Sequence, residues 1–139
     1  MRNRLNENFL DCYLAVDKAC SDKFGVGSGG VTEYINRLNN ARFAPNRDEV
    51  LPRLVKYRNI RNKFAHEVGS MRKCDDLAKE DVKWLRKFSK DLTKRRDPLS
   101  VYIRRARRYA RRRRARKAIF FAMLILLIIA AVVLYFVLR

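Results

Sequence analysis

The sequence holds one histidine and three cysteines, with no CxxC spacing. A zinc site therefore has almost nothing to be built from. Cys12 and Cys20 stand about 12 Å apart along an apparent helix, too far to bridge, and Cys74 makes the set odd, so all three read as reduced thiols of a cytoplasmic domain. No internal repeat is present, and no stretch alternates as a strand does. The first residues, Met1 to Phe9, are polar and lack the apolar stretch of a signal peptide.

Charge is missing altogether between Ala118 and Leu138. These 21 residues would make a helix of about 32 Å, against a hydrocarbon core of roughly 30 Å. The remaining residues are too few and too charged to surround such a helix, so it reads as a transmembrane helix, residues 118–138. Before it, Arg104, Arg105, Arg107, Arg108, Arg111, Arg112, Arg113, Arg114, Arg116 and Lys117 place ten basic residues in fourteen positions. A basic juxtamembrane helix over 101–117 stays on the cytoplasmic side, with residues 104–117 attracted to anionic membrane lipids. The expected arrangement is tail-anchored: a cytoplasmic N-terminal domain, then a single pass through the cell membrane.

The formal charge is +19; with the ten-residue block and Arg139 set aside, residues 1–103 keep +8. That surplus suits a polyanion and does not separate RNA from a membrane surface. Tyr102 and Tyr109 could stack on bases beside the block, but lipid binding and topology are a sufficient explanation of it. The span carries small residues at Ala122, Ala130 and Ala131 without a GxxxG pattern, so dimerisation is assigned to the soluble domain.

Residues 1–100 read as one small helical domain. Leu5, Phe9, Cys12, Tyr13, Val16 and Cys20 recur at steps of three and four and predict a first helix of about five turns. Gly25 to Gly30 end it; lacking a Gly-Lys-Ser/Thr ending and a preceding strand, they read as a flexible linker and not as a phosphate loop. Thr32 can cap a short second helix carrying Tyr34, Ile35 and Leu38, and Pro45-Asn46 break the chain again. Asp48 is placed to cap a third helix that tolerates Pro52 near its start and ends at Gly69. A fourth helix carries Val82, Leu85, Phe88 and Leu92 on one stripe, with Asp75-Asp76 and Glu80-Asp81 near its start. Asp97-Pro98 opens a fifth that nothing stops before the membrane.

The third helix carries the chemistry. On a wheel of about 100° per residue, Val50, Leu54, Tyr57, Ile60, Phe64 and Val68 share a core face. Arg58, Arg61, Asn62 and His66 occupy the adjacent arc, around Ala65, and Leu51 and Val55 make that second arc apolar in the N-terminal half. A helix buried on both sides, with a polar pocket at one end, follows. His66 could move a proton, Asn62 could orient it from one turn away, and Arg61 could stabilise charge on a phosphorane during cleavage of RNA through its own 2'-hydroxyl. That chemistry requires no metal and no cofactor. Spacing alone leaves a surface histidine at a helix end as the other reading.

The run Tyr57-Arg58-Asn59-Ile60-Arg61-Asn62-Lys63-Phe64-Ala65-His66 resembles the HEPN motif in its Arg-Asn-x-x-Ala-His form, with Arg61, Asn62 and His66 matching. The resemblance covers about residues 1–100. It implies an all-α, HEPN-like helical bundle that forms a homodimer through the motif helices, with two Arg/His sets across one cleft. It also implies a metal-independent endoribonuclease of toxin-antitoxin, anti-phage or abortive-infection systems, with Arg61, Asn62 and His66 catalytic and an antitoxin or regulatory protein as partner; Arg58, on the same face but outside the motif, is the candidate for the RNA substrate's backbone. Two other readings stand beside it: a non-catalytic dimeric helical adaptor that presents a partner at the membrane and depends on Leu51 and Val55, and a basic anchor that only organises lipid or nucleic acid.

Overall fold

The computed structural model describes residues 2–138, all-α and without a strand among them. Six helices follow in order: α1 (Arg2–Phe24), α2 (Gly30–Asn40), α3 (Arg47–His66), α4 (Ser70–Lys73), α5 (Lys79–Thr93) and α6 (Pro98–Leu138). They form two compact units, Met1–Tyr102 and Ile103–Arg139.

In the first unit α1 is the element on which the others pack, α5 and α2 most extensively. Its buried stripe is Asn6, Phe9, Tyr13, Val16 and Cys20, one residue out of phase with the expected start at Leu5; Leu5 and Cys12 are only half-buried. An aromatic chain runs through the core. Phe9 meets Phe64 and Tyr57 edge-on, with centroids at 6.2 and 5.5 Å; Tyr57 meets Trp84 at 5.6 Å; and Trp84 stacks on Phe88 at 4.9 Å. Val82, Leu85, Phe88 and Leu92 of α5 are all buried, as their spacing predicts.

The glycine stretch does more than link. Gly30 is buried at the first position of α2, where a Cβ would collide with the Asp17 carbonyl oxygen and the Ser21 amide nitrogen of α1. At the same contact Asp17 Oδ1 accepts from the Val31 amide at 2.8 Å, so a carboxylate of α1 caps α2 and Thr32 lies inside the helix instead of capping it. Because backbone atoms cannot yield as a side chain can, Gly30→Ala is expected at the upper end of the overpacking range, about 3 kcal/mol. Urea denaturation measures this, and a change below about 0.5 kcal/mol, typical of neutral surface substitutions, would mean the close approach is absent.

Burial acts on the ionisation of the core. It pushes the Cys20 thiol from 9.0 up to about 12, against the pull of Lys23. It also pushes the Tyr13 phenol from 10.0 up to about 12, helped by Asp17 and opposed by Arg61 and Arg58. Above these ordinary values the unfolded chain releases protons that the folded chain keeps, so stability falls as pH rises. The decline is expected to begin near pH 9 for Cys20 and near pH 10 for Tyr13. Each group costs about 1.4 kcal/mol per pH unit. Denaturant midpoints at a series of alkaline pH values check it; a flat profile would contradict it.

Where α6 begins, Asp97 is buried and accepts from both sides. Lys23 Nζ reaches its two oxygens at 2.8 Å each, the Tyr34 hydroxyl donates at 2.9 Å, and the Ser100 amide at 3.1 Å, which makes Asp97 the helix cap expected before Pro98. Lys23 also donates to Ser100 Oγ at 2.7 Å. From Ile103 onward the second unit is made by α6, whose first residues belong to the first unit. This helix has no proline or glycine after Pro98, is exposed from Arg104 onward where its side chains are described, and is long and apolar enough to cross a membrane.

Candidate functional site

The polar residues of α3 owe their position to both ends of the helix. At its start, Asn46 adopts the left-handed region (φ 53°) and its carbonyl accepts from the Glu49 and Val50 amides at 3.3 and 3.0 Å. Arg47 donates to the carbonyls of Leu38 and Asn39 at 3.2 and 3.3 Å, tying the first turn to the end of α2. The helix therefore begins ahead of Asp48, which lies in the first turn and is not the cap.

At its other end, α3 stops at His66, three residues before the expected Gly69. Glu67 turns extended, with its amide still donating to the Lys63 carbonyl at 2.9 Å, and Ser70 Oγ donates to the same carbonyl at 3.0 Å. Gly69 (φ 79°) starts the short α4 instead of closing α3. Asn6 holds α4 to α1: its buried amide donates to the Met71 and Cys74 carbonyls at 2.7 and 3.2 Å. Val68, expected in the core, falls in the reversal and is fully exposed.

Below the site the helix is firmly seated. Val50, Leu54, Tyr57 and Ile60 are buried, Phe64 is half-buried against Phe9, and the Tyr57 hydroxyl donates to Asp81 Oδ1 at 2.7 Å. Burial, then the bond to Asp81, raises the Tyr57 pKa, so this hydroxyl stays a donor. Asp81 also accepts from the Ala78 amide at 2.8 Å, joining the start of α5 to α3.

On the outer side Arg58 and Arg61 are half-buried, close enough to Tyr13 for both charges to oppose the rise in its pKa. Asn62 and His66 are exposed. Arg61 Nη1 donates to Asn62 Oδ1 at 3.3 Å. The amide oxygen is thus turned towards the guanidinium; among the described residues no hydrogen bond joins Asn62 to His66. Leu51 and Val55, expected to be buried on this flank, are half-buried in the single chain. The set brings an imidazole, two guanidiniums and an amide to one side of the helix, groups that suit a phosphodiester. Among the described residues no group of three His, Cys, Asp or Glu side chains stands together as a metal site.

A family model matches residues 7–118, four-fifths of the chain. The chain belongs to the Family of unknown function (DUF6548). The DUF6548 match takes in all of α2 to α5 and the arginine block, and ends at the first residue of the apolar run. No curated protein and no solved structure matches the chain.

Sequence reasoning missed Asn6, Gly30, Asp17 and Lys23, and it named Asp97 as a cap and Tyr34 as a helix residue without the bonds that join them. Asn6 and Lys23 carried a signal, since both continue the spacing of the α1 stripe at polar residues. Gly30 carried none apart from its neighbours, because only the approach of α1 distinguishes it from Gly27 and Gly29.

Proposed function

We propose that this chain is a membrane-tethered, metal-independent endoribonuclease of the HEPN type, a toxin or anti-phage, abortive-infection effector. The observation that carries the reading is the Arg61-Asn62-x-x-Ala65-His66 set on the open face of a helix whose other face is locked into an aromatic core. Such rigidity keeps reacting groups aligned.

In this reading one imidazole takes the proton of the RNA 2'-hydroxyl as its oxygen attacks the adjacent phosphorus. A second imidazole gives a proton to the 5'-oxygen as that P–O bond breaks, leaving a 2',3'-cyclic phosphate and a 5'-hydroxyl. The chain has one histidine, so the second comes from another copy, paired through α3 with Leu51 and Val55 as apolar surface. Arg61, aligned by Asn62, faces the charge that develops on the phosphorane, and Arg58 holds the neighbouring backbone. Residues 118–138 cross the cell membrane once, with the catalytic domain kept on the cytoplasmic side by the basic residues next to the span.

The test is cleavage of total RNA by the full chain in neutral-lipid nanodiscs, with and without EDTA, beside His66→Ala. Cleavage by the parent alone, unchanged by EDTA, supports the reading. Equal activity in both would remove the mechanism, and no cleavage by a paired parent would leave the dimeric adaptor.

A further inference from the structure

The ten basic residues before the span are two patches, separated both around α6 and along it. Measured from Tyr102 at about 100° per residue, Arg104, Arg105, Arg107, Arg108, Arg111 and Arg112 fall between about 140° and 300°. Arg113, Arg114, Arg116 and Lys117 fall between about 320° and 120°, on the opposite side.

We infer that the outer six arginines form a face that binds the RNA backbone, distinct from the inner four that meet lipid. The block and the apolar run belong to one unit and one uninterrupted helix, without proline or glycine, so the block cannot fold down onto the bilayer while residues 118–138 cross it. At about 1.5 Å per residue, Arg112 stands about 9 Å and Arg104 about 21 Å beyond Ala118 along the axis. The headgroup layer is only about 5–8 Å deep. The membrane's surface potential fades within a Debye length, about 8 Å at physiological salt. A tilt of about 20° shortens these heights by less than a tenth. The inner four lie within that layer; of the outer six, Arg111 and Arg112 stand above it but within a Debye length, Arg107 and Arg108 near that limit, and Arg104 and Arg105 beyond it.

The choice of side chain points the same way. Residues 1–103 use arginine and lysine about equally, 12 and 10, whereas the block holds nine arginines and one lysine, and that lysine is Lys117, next to the span. Paired hydrogen bonds to phosphate oxygens favour the planar guanidinium, whether the phosphate belongs to a lipid head or to a nucleic acid, and above the headgroup layer the phosphates to be met are those of a nucleic acid. No acidic residue follows Asp97, so nothing in the second unit neutralises the patch. Tyr109, 71% exposed and about 40° around the helix from Arg105 at the limit of the patch, adds a ring on which a base can stack. The block also lies inside the stretch matched by the family model, which stops at Ala118.

This inference rests on the ribonuclease reading for its choice of RNA, and its test separates the two. The full chain carrying His66→Ala is placed in phosphatidylcholine nanodiscs, and its binding to a labelled, uncleavable 2'-O-methyl oligoribonucleotide is followed between about 50 and 200 mM salt. Changing the outer six to Gln is expected to weaken binding at low salt by about 100-fold or more and to flatten the log-log salt slope by about four, at roughly 0.7 per phosphate. Changing Arg113, Arg114, Arg116 and Lys117 to Gln is expected to leave affinity within about threefold, since these meet lipid. Circular dichroism confirms that both variants stay helical. Parent-like RNA binding by the outer variant overturns the inference, including the case in which it loses only its attraction to phosphatidylserine vesicles. An inner variant as weak as the outer one overturns it too. Binding through the outer face by a parent that never cleaves RNA would keep the inference and remove the ribonuclease; cleavage with no binding change in the outer variant would do the reverse.

Discussion

His66→Ala is expected to reduce RNA cleavage by the full chain by about 10²- to 10⁴-fold, the contribution of a positioned proton-transfer group. His66 is exposed and ends its helix, so the folded domain should lose no more than about 0.5 kcal/mol, and the loss of activity can be read as chemistry. Arg61→Lys tests the other half of the mechanism. Lysine keeps the charge but cannot keep both a bond to Asn62 Oδ1 and the guanidinium's paired donors, so a loss of activity without loss of RNA binding is the expected pattern. A bell-shaped pH dependence should accompany the parent's activity, because one imidazole must be neutral while the other is protonated. A variant lacking His66 that cleaves as fast as the parent, with the same products, would remove the assignment.

Asp97→Ala is expected to destabilise the first unit by about 3–5 kcal/mol, the cost of removing one partner of a buried ion pair. The side chain of Asp97 is fully buried and that of Lys23 is 21% exposed, so the ammonium would be left with Ser100 Oγ and little water. The same change strips the Tyr34 hydroxyl of its acceptor and α6 of its cap. For a domain of about 100 residues this corresponds to a fall in Tm of more than about 12 °C. The double variant Lys23→Met with Asp97→Leu should recover much of the loss, since replacing both charges by apolar groups removes the stranded ion. A fall in Tm of only a few degrees in the single variant would mean that the pair is not closed off from solvent.

The apolar periodicities carried most of the fold. The stripes of α1 and α5 and the core face of α3 are set by burial, which repeats along a helix and so is visible in one dimension. What was not visible depends on residues far apart in sequence. Asp17 caps α2 because Gly30 lets the two helices touch, and Asn6 reaches carbonyls more than 60 positions away. Helix ends suffered most. Thr32, Asp48 and Gly69 each have the chemistry of a cap, yet Asp17, the Arg47 tie to α2 and the reversal into α4 decide where those helices begin and stop.

The candidate site was legible for a different reason. Arg58, Arg61, Asn62 and His66 sit on a single helix, where spacing fixes which side chains share a face. Asn62 and His66 are exposed there and Arg58 and Arg61 half-buried, but the partner of Asn62 Oδ1 does not follow from the wheel: the neighbouring Arg61 donates to it, and among the described residues no hydrogen bond joins Asn62 to His66. Val68 lies on the core face of the wheel, but α3 ends two residues before it, and the chain reversal leaves its side chain exposed.

The uninterrupted run of α6 has a geometric consequence. On a rod without a hinge, residue count acts as a protractor. Inserting one residue between Arg112 and Arg113 turns the outer guanidiniums through about 100° and lifts them by about 1.5 Å, while inserting seven restores their compass bearing to within about 20° and raises them by about 10 Å. Height along the axis and the direction faced are therefore locked to one another, and in the proposed tethered arrangement a change of length here would disturb both, where a loop of the same composition would absorb it.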